Sequence, residues 1–221
     1  MFEIQQIDKS YQQGDSEISV LRGLNLSVGK GETVSIIGQS GSGKSTLLSI
    51  LCGLENVDAG ILRFEGKNLT DKTPDEWTDF RANSLGIVFQ HFHLVPHLTA
   101  IENVLLPLEI QGISDFSRGK EMLVRVGLEH RMNHFPNQLS GGEMQRVAVA
   151  RALVSRPKIV LADEPSGNLD ADNAKAVIEL MFDLVKEENT SLVLVTHDLE
   201  LAKKCGRSLK LEDGQLNEGE F

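Results

Sequence analysis

One short glycine-rich segment constrains the fold of this chain more than any other feature. It fits the pattern G-x-x-x-x-G-K-[ST] and consists of Gly38, Gln39, Ser40, Gly41, Ser42, Gly43, Lys44, Ser45 and Thr46. A β-branched run at residues 33–37 precedes it, and residues 45–54 have the character of a helix. This order is typical of a loop whose backbone N–H groups surround phosphate oxygens, with Lys44 reaching the outer phosphates. A turn without a ligand is the alternative, and the flanking strand and helix favour the phosphate loop.

Strand-like and helix-like segments alternate at both ends of the chain, whereas the middle is helical. The predicted strands are residues 2–7, 24–28, 33–37, 61–64, 85–89, 159–162 and 191–196. The predicted helices are residues 45–54, a helix starting near Pro74, and residues 101–110, 116–126, 142–153, 171–188 and 199–205. This alternation indicates an α/β fold with a largely parallel sheet. We expect one domain over residues 1–221, with a nucleotide-binding core at 1–90 and 154–221 and an inserted helical subdomain at 91–153.

Composition and charge exclude several classes of protein. The 221 residues include 22 basic and 32 acidic side chains, for a net charge of −10, and 40% are hydrophobic. The apolar fraction is too high for a disordered chain, and the acidic balance argues against a nucleic-acid binder or direct adhesion to anionic lipid. No apolar run approaches the roughly 20 residues that cross a bilayer, and the first residues do not resemble a signal peptide. With only Cys52 and Cys205, we expect a globular protein of a reducing intracellular compartment.

Two adjacent acids end a hydrophobic run that is predicted to be a buried strand. Asp163 and Glu164 follow residues 159–162 and precede Pro165. In a nucleotide hydrolase with a phosphate loop, an acid at this position holds Mg²⁺, directly or through water. Glu164 is then placed to act as general base toward the attacking water. The alternative is that both acids cap the turn before Pro165, and the Lys44 loop favours the catalytic interpretation.

A third motif, Leu139-Ser-Gly-Gly-Glu143, opens a helix that continues MQRVAVARAL. A serine and two glycines at a helix start can bind an anion, although a plain helix cap is the simpler interpretation. LSGGE followed by QRVAVARAL resembles the signature motif of ATP-binding cassette (ABC) ATPases, and the resemblance covers essentially the whole chain. It implies a P-loop NTPase fold with a RecA-like core, an N-terminal antiparallel β subdomain and an inserted helical subdomain. Glu143 stands where many members have glutamine.

The resemblance assigns roles to four further residues. Gln90 is similar to the family's Q-loop glutamine, which senses Mg²⁺ and the γ-phosphate and links to the transmembrane partner. Asp170 resembles the D-loop acid, and His197 resembles the switch histidine that contacts the γ-phosphate. Tyr11 is similar to the aromatic residue that stacks on adenine; a core or surface tyrosine is the alternative there. Alone, His197 would more often be a structural histidine.

In this family two copies pack head to tail around ATP. The resemblance therefore implies that ATP lies between the Lys44 loop of one copy and a group on the other that comprises Ser140, Gly141, Gly142 and Asp170. The expected Mg²⁺ ligands are Ser45, Gln90 and Asp163. The expected catalytic residues are Lys44, Gln90, Glu164 and His197. The implied activity is ATP hydrolysis coupled to transport.

The implied partners are integral membrane permease subunits, with the chain bound peripherally at the cytoplasmic face of the inner membrane. The expected docking surface follows Gln90 and consists of Phe92, Leu94, Val95, Leu98 and Ile101. For each of these residues, ordinary helical core is the open alternative.

Four longer segments narrow the resemblance: FHLVPHLTAIENVLLPL, VGLEHRMNHFPNQLSGGE, LADEPSGNLDADNA and THDLELAKK. They are similar to the LolD-type lipoprotein-releasing group, whose relatives include MacB-, FtsE- and YbbA-type proteins. The expected process is release of lipoproteins from the inner membrane toward the outer membrane, with LolC/LolE-like permeases. An FtsE-like division complex and a YbbA-like or efflux complex stay open. A soluble ABC ATPase of DNA repair or translation is less favoured, since only one cassette is present and the helical insertion is short.

Overall fold

The computed structural model describes residues 1–14 and 16–219, which divide into two compact units. One unit contains Met1–Arg81 and the chain from Ser191 onward, and the second is Ala82–Thr190. The elements in chain order are β1 (Phe2–Gln13), β2 (Ser16–Val28), β3 (Thr33–Ile37), α1 (Lys44–Leu51), β4 (Ala59–Phe64), β5 (Lys67–Asn68), α2 (Pro74–Ser84), β6 (Leu85–Val88), α3 (Ala100–Ile110), α4 (Phe116–Arg125), α5 (Gly141–Leu153), β7 (Ile159–Asp163), α6 (Ala171–Glu187), β8 (Ser191–Thr196), α7 (Leu199–Ala202), β9 (Arg207–Glu212) and β10 (Gln215–Glu218). Short 3-10 turns at Glu129–Arg131 and Pro136–Gln138 precede α5.

An antiparallel sheet in the order β2-β1-β4-β5 forms one layer of the first unit. Phe2 lies opposite both Val28 and Phe64, and its ring meets the Phe64 ring edge-on at a centroid distance of 4.8 Å. The predicted strands at 2–7 and 24–28 are the apolar ends of a longer hairpin. Beyond residue 7, β1 and the start of β2 are largely exposed and polar. The alternation of apolar and polar residues that marks a half-buried strand is therefore absent there, and the sequence predicted shorter strands.

A second set of strands in the first unit brings the phosphate-loop segment to a sheet edge. β3 lies between β8 and β9 and is parallel to both, while β10 pairs antiparallel with β9. All six residues of β8 are buried, as is typical of a central parallel strand. Ile37 is paired with Thr196, so Gly38 and His197 leave neighbouring strands at the same edge. The sequence did not predict β9 and β10, whose alternation is interrupted by charged residues.

The second unit is built around α5. This helix packs against α3, α4 and α6, and most of its side chains from Val147 to Leu153 are buried. β6 and β7 form a parallel pair in which Val88 is opposite Ala162. Gly86 lies against the end of α5: a Cβ there would sit 2.2 Å from the carbonyl oxygen of Ala152. The parallel pairing predicted from the sequence is thus confirmed in both units.

Within the residues described, none of the helices combines the length and the apolar character that crossing a membrane requires.

Candidate nucleotide-binding site

The segment from Gly38 to Gly43 is a tight turn between β3 and α1, and its glycines are required by space and by conformation. A Cβ on Gly38 would lie 2.4 Å from Ser42 Oγ and 2.7 Å from the Leu211 carbonyl oxygen. Gly43 has φ of 101°, and a Cβ there would lie 2.9 Å from Val20 Cγ1. α1 begins directly afterwards at Lys44, so its first N–H groups have no partner within the helix. The loop and helix start together form an anion-binding arrangement.

Lys44 holds its ammonium group inside the curve of this loop. Its Nζ donates to the carbonyl oxygens of Gly38 and Gln39, each at 2.8 Å. An ammonium group has three protons, so one donor remains for a phosphate oxygen. Ser42 Oγ is buried and finds no hydrogen-bond partner among the residues described. A buried hydroxyl in that position is explained by an oxyanion ligand, so the loop fits the phosphates of a nucleotide.

A cleft of about 360 Å³ lies beside the loop, bounded by β2, residues 39–42 and the β9–β10 hairpin. Ile18 lines this cleft and is paired across the hairpin with Tyr11. The Tyr11 side chain is 39% exposed, so it is not a core residue. Lys9 Nζ lies over one face of its ring, 5.1 Å from the centroid. The ring is therefore partly accessible to a ligand.

His197 follows β8 at the edge where Gly38 follows β3. Its backbone is fixed from both sides, because the Asp198 N–H donates to Thr196 Oγ1 at 3.0 Å and Asp198 then caps α7. The His197 side chain is exposed. The first unit therefore places Lys44 and His197 on adjoining connections at one end of its parallel strands.

The adjacent acids lie in the second unit, where β7 ends. Asp163 is the last residue of β7, and both acids are half-buried. Glu164 adopts a left-handed conformation with φ of 44°, which costs a non-glycine residue about 1–3 kcal/mol. The Gly167 N–H donates to the Glu164 carbonyl oxygen at 2.9 Å and closes the turn.

Gln90 packs directly against this turn. A Cβ on Gly167 would lie 2.7 Å from Gln90 Nε2, so a larger residue there would push the Gln90 side chain from its present position. Gln90 Nε2 donates to Asn168 Oδ1 at 3.2 Å, and Asn168 Nδ2 donates back to the Gln90 carbonyl oxygen at 3.0 Å. The structure thus brings Gln90 to the turn that follows Glu164. The sequence did not predict a role for Asn168, because a single polar residue in a turn belongs to no periodic pattern.

A buried amide on α5 ties the same two segments together. Gln145 is fully buried, and its Nε2 donates to the carbonyl oxygens of Phe89 at 3.2 Å and Pro165 at 2.6 Å. Gln145 could have been identified from the sequence, because it is an amide side chain on the face of α5 that is otherwise apolar.

The Ser140 segment opens α5 with a reciprocal cap. Ser140 Oγ accepts from the Glu143 N–H at 3.3 Å, and the Glu143 carboxylate accepts from the Ser140 N–H at 2.8 Å. The hydrogen bond from the Ser140 backbone, helped by Arg131, lowers the pKa of Glu143. Gly141 and Gly142 follow at the first two positions of the helix, where N–H groups lack helical partners.

Asp170 lies next to this helix start, through Asn173. A Cβ on Gly142 would lie 2.7 Å from Asn173 Oδ1, and Asn173 Nδ2 donates to the Asp170 carboxylate at 2.7 Å. Asp170 also caps α6 through the Asn173 N–H. These bonds from Asn173 lower the pKa of Asp170, which stays ionised. The second unit therefore gathers Ser140, Gly141, Gly142 and Asp170.

The segment after Gln90 is only partly a free surface. Phe92, Leu94, Val95 and Leu98 are half-buried, whereas Ile101 is 5% exposed and belongs to the core. Ile101 is therefore a correction to the expected docking residues: it faces inward from the first turn of α3. The segment itself is held by α5, since Arg151 donates to the carbonyl oxygens of Phe92 at 2.8 Å and His93 at 2.6 Å.

Known proteins are similar to this chain in sequence and in fold. A family described as ABC transporter matches residues 21–167. The Escherichia coli (strain K12) protein named "Uncharacterized ABC transporter ATP-binding protein YbbA" is 46% identical over 219 residues, covering 98% of this chain and 96% of the relative. The dimeric post-hydrolysis structure of the ATP-binding cassette MJ0796, bound to ADP and Pi, superposes with a TM-score of 0.91 at 40% identity, covering 100% of this chain and 98% of that one. A second dimeric MJ0796 structure gives a TM-score of 0.90. The chain belongs to the ABC transporter family and is an ATP-hydrolysing subunit of that family.

Proposed function

We propose that two copies of this chain bind ATP between them and use its hydrolysis to drive membrane permease subunits. The observation that carries the proposal is that one chain holds two complementary half-sites. The Lys44 loop offers a spare ammonium donor and a buried Ser42 hydroxyl that has no hydrogen-bond partner in the described part of the chain. The start of α5 offers the Ser140 hydroxyl and two glycine N–H groups. MJ0796, 40% identical, forms a dimer with ADP and Pi bound, which supports this arrangement.

In the proposed site each half binds the phosphates from one side. Lys44 and the N–H groups of α1 hold the β- and γ-phosphates, and Tyr11 stacks on adenine. Ser140, Gly141 and Gly142 of the second copy reach the γ-phosphate, with Asp170 beside them. Glu164 accepts the proton of the attacking water, and His197 donates a hydrogen bond to the phosphate that leaves.

We also propose that Mg²⁺ binds with the nucleotide, since the residues that the family resemblance assigns to it carry suitable oxygen donors. Ser45, Gln90 and Asp163 carry a hydroxyl, an amide oxygen and a carboxylate, which are the oxygen ligands that Mg²⁺ prefers. When bound, Mg²⁺ would neutralise charge that develops on the β- and γ-phosphate oxygens.

Lipoprotein release toward the outer membrane is the transport process that we propose, on the strength of the four LolD-like segments. The 46% identity to a YbbA-named protein favours a second candidate, a YbbA-type complex. The two candidates differ in the membrane subunits, so purification of the tagged chain from its own membranes separates them. Two LolC/LolE-like subunits would support lipoprotein release, and a single FtsX-like subunit would indicate a division complex instead. Another permease would support the YbbA-type complex, and a nucleic-acid-bound assembly would contradict all three.

The ATP site itself is tested with Glu164→Gln. We expect turnover to fall at least a hundredfold and the variant to form a dimer in ATP but not in ADP, measured by size-exclusion chromatography. A monomeric variant with wild-type turnover would overturn the role of Glu164.

A further inference from the structure

The Glu143 carboxylate lies at the helix start that the proposed function assigns to the partner copy's ATP. Because its oxygen accepts from the Ser140 N–H at 2.8 Å, the negative charge is held against the residue that would meet the γ-phosphate. Like charges repel, and at physiological ionic strength salt does not fully screen this repulsion within about 8 Å. The Glu143 carboxylate therefore weakens the binding of ATP at this helix start, unless a nearby cation neutralises its charge.

Arg131 supplies that cation. Its Nε lies 3.2 Å from Glu143 Oε1, the carboxylate oxygen that does not face Ser140. The two side chains are 39% and 24% exposed, so neither is buried deeply enough for the pair to be a requirement of folding.

The position of Arg131 is fixed by its surroundings. Its Nη1 lies 3.1 Å from His134 Nε2, so the guanidinium has a second contact besides Glu143. The turn that carries Arg131 is anchored to the start of α3, where the Ile101 and Ala100 N–H groups donate to the carbonyl oxygens of Met132 and His134. A guanidinium held by two contacts keeps its orientation better than a free surface cation.

We propose that Arg131 is a positioning residue for the nucleotide: by pairing with Glu143 it removes the charge repulsion between the start of α5 and the phosphates of ATP on the partner copy. Arg131 does not touch the nucleotide. It acts through Glu143, so its removal matters only while position 143 carries a negative charge. This inference rests on the proposed ATP-bound dimer.

A double-mutant cycle tests it in the Glu164→Gln background, where ATP-driven dimers accumulate. The readout is the ATP concentration for half-maximal dimer formation, measured by analytical ultracentrifugation. Arg131→Met, which keeps the aliphatic stem, should raise that concentration about tenfold. In combination with Glu143→Gln, which can still form the cap, Arg131→Met should change it by less than about twofold. Arg131→Lys, which keeps the charge, should lie within about threefold of the parent.

Controls separate this pair from general effects. Lys120→Met removes a cation that lies 3.8 Å from the exposed Glu129, and it should not change dimer formation. Binding of a fluorescent ATP analogue to the monomer should be equal in every variant, because it depends on the Lys44 loop.

Two results would overturn the inference: an unchanged Arg131→Met, or a loss in Arg131→Met that persists in full when Glu143→Gln is added. If the parent Glu164→Gln protein forms no dimer in ATP at all, the proposed function fails instead. If Arg131→Met does not fold, as judged by thermal denaturation, Arg131→Lys decides, since a folded, charge-retaining variant that forms no dimer contradicts charge compensation.

Discussion

Gln90 and Asn168 hold each other by two hydrogen bonds, one from each side-chain amide. The Gln90 amide donates to Asn168 Oδ1, and the Asn168 amide donates to the Gln90 carbonyl oxygen. Backbone and side chain of Gln90 are both fixed by one partner, 78 positions away in the sequence.

Asn168→Ala should therefore release Gln90 without altering the phosphate loop. We expect kcat for ATP hydrolysis to fall about 5- to 20-fold while the KM for ATP changes less than about twofold, because loss of a positioning contact affects the transition state more than ground-state binding. The exposed Asn217 on β10 provides the matched control, and Asn217→Ala should leave both parameters unchanged. Equal losses in both variants would contradict a specific role for Asn168.

Lys44→Ala should abolish nucleotide binding. The ammonium that remains available to phosphate disappears, and the carbonyl oxygens of Gly38 and Gln39 lose the donor they share. We expect the Kd for ATP to rise at least a hundredfold in isothermal titration calorimetry. Lys67→Ala, at an exposed position of β5, is the control. Normal ATP binding by the Lys44 variant would rule out the phosphate-loop assignment.

Gly86→Ala should destabilise the second unit. The new Cβ would meet the Ala152 carbonyl oxygen at 2.2 Å and Pro157 Cγ at 3.1 Å, and backbone atoms cannot move aside as a flexible side chain can. Overpacking of this kind costs about 1–3 kcal/mol of the free energy of unfolding, measured by urea denaturation. A Cβ on Gly206 would have its nearest neighbours at 3.6 Å, so Gly206→Ala should change stability by less than about 0.5 kcal/mol.

Glu188 should make stability depend on pH in the acid range. Burial by itself would raise the pKa of Glu188, but hydrogen bonds from Arg125 and Arg118 outweigh it and lower the pKa below the ordinary 4.5. As the pH falls, Glu188 is therefore protonated in the unfolded chain before it is protonated in the folded protein. Its contribution to the free energy of unfolding is fully present above about pH 4.5 and is lost as the pH falls through the lower pKa of the folded state.

Glu188→Gln should remove that contribution. We expect a loss of about 1–3 kcal/mol at pH 7, because Arg118, which is 7% exposed, loses the Glu188 carboxylate and keeps Glu121. The decline of stability between about pH 5 and 3 should also be shallower. The decline falls in this pH interval because the pKa values of carboxyl groups lie there, at about 4. Glu129→Gln, in the exposed pair with Lys120, should have little effect on either measurement. A variant with the pH profile of the wild type would exclude Glu188 as its source.

The sequence was informative where local pattern and chemistry coincide. The loop around Lys44 is marked by its glycines, and the strand before Asp163 by an unbroken apolar run, so both are predictable from the order of residues alone. Asn168, Asn173 and Arg131 are not, because each acts through a contact with one distant or unpatterned partner. For Ile101 the sequence left a docking surface and helical core both open, because apolar residues on a helix fit either. The packing shows that Ile101 belongs to the core.

The single amide of Gln145 has a consequence for movement. It bonds to Phe89 just before Gln90 and to Pro165 just after Glu164, while Arg151 on the same helix holds Phe92 and His93. Hydrogen bonds weaken steeply once donor and acceptor separate by more than about 0.5 Å beyond their normal distance. A rotation or slide of α5 should therefore carry both loops with it, so that the segments beside Gln90 and Glu164 move together with the helix.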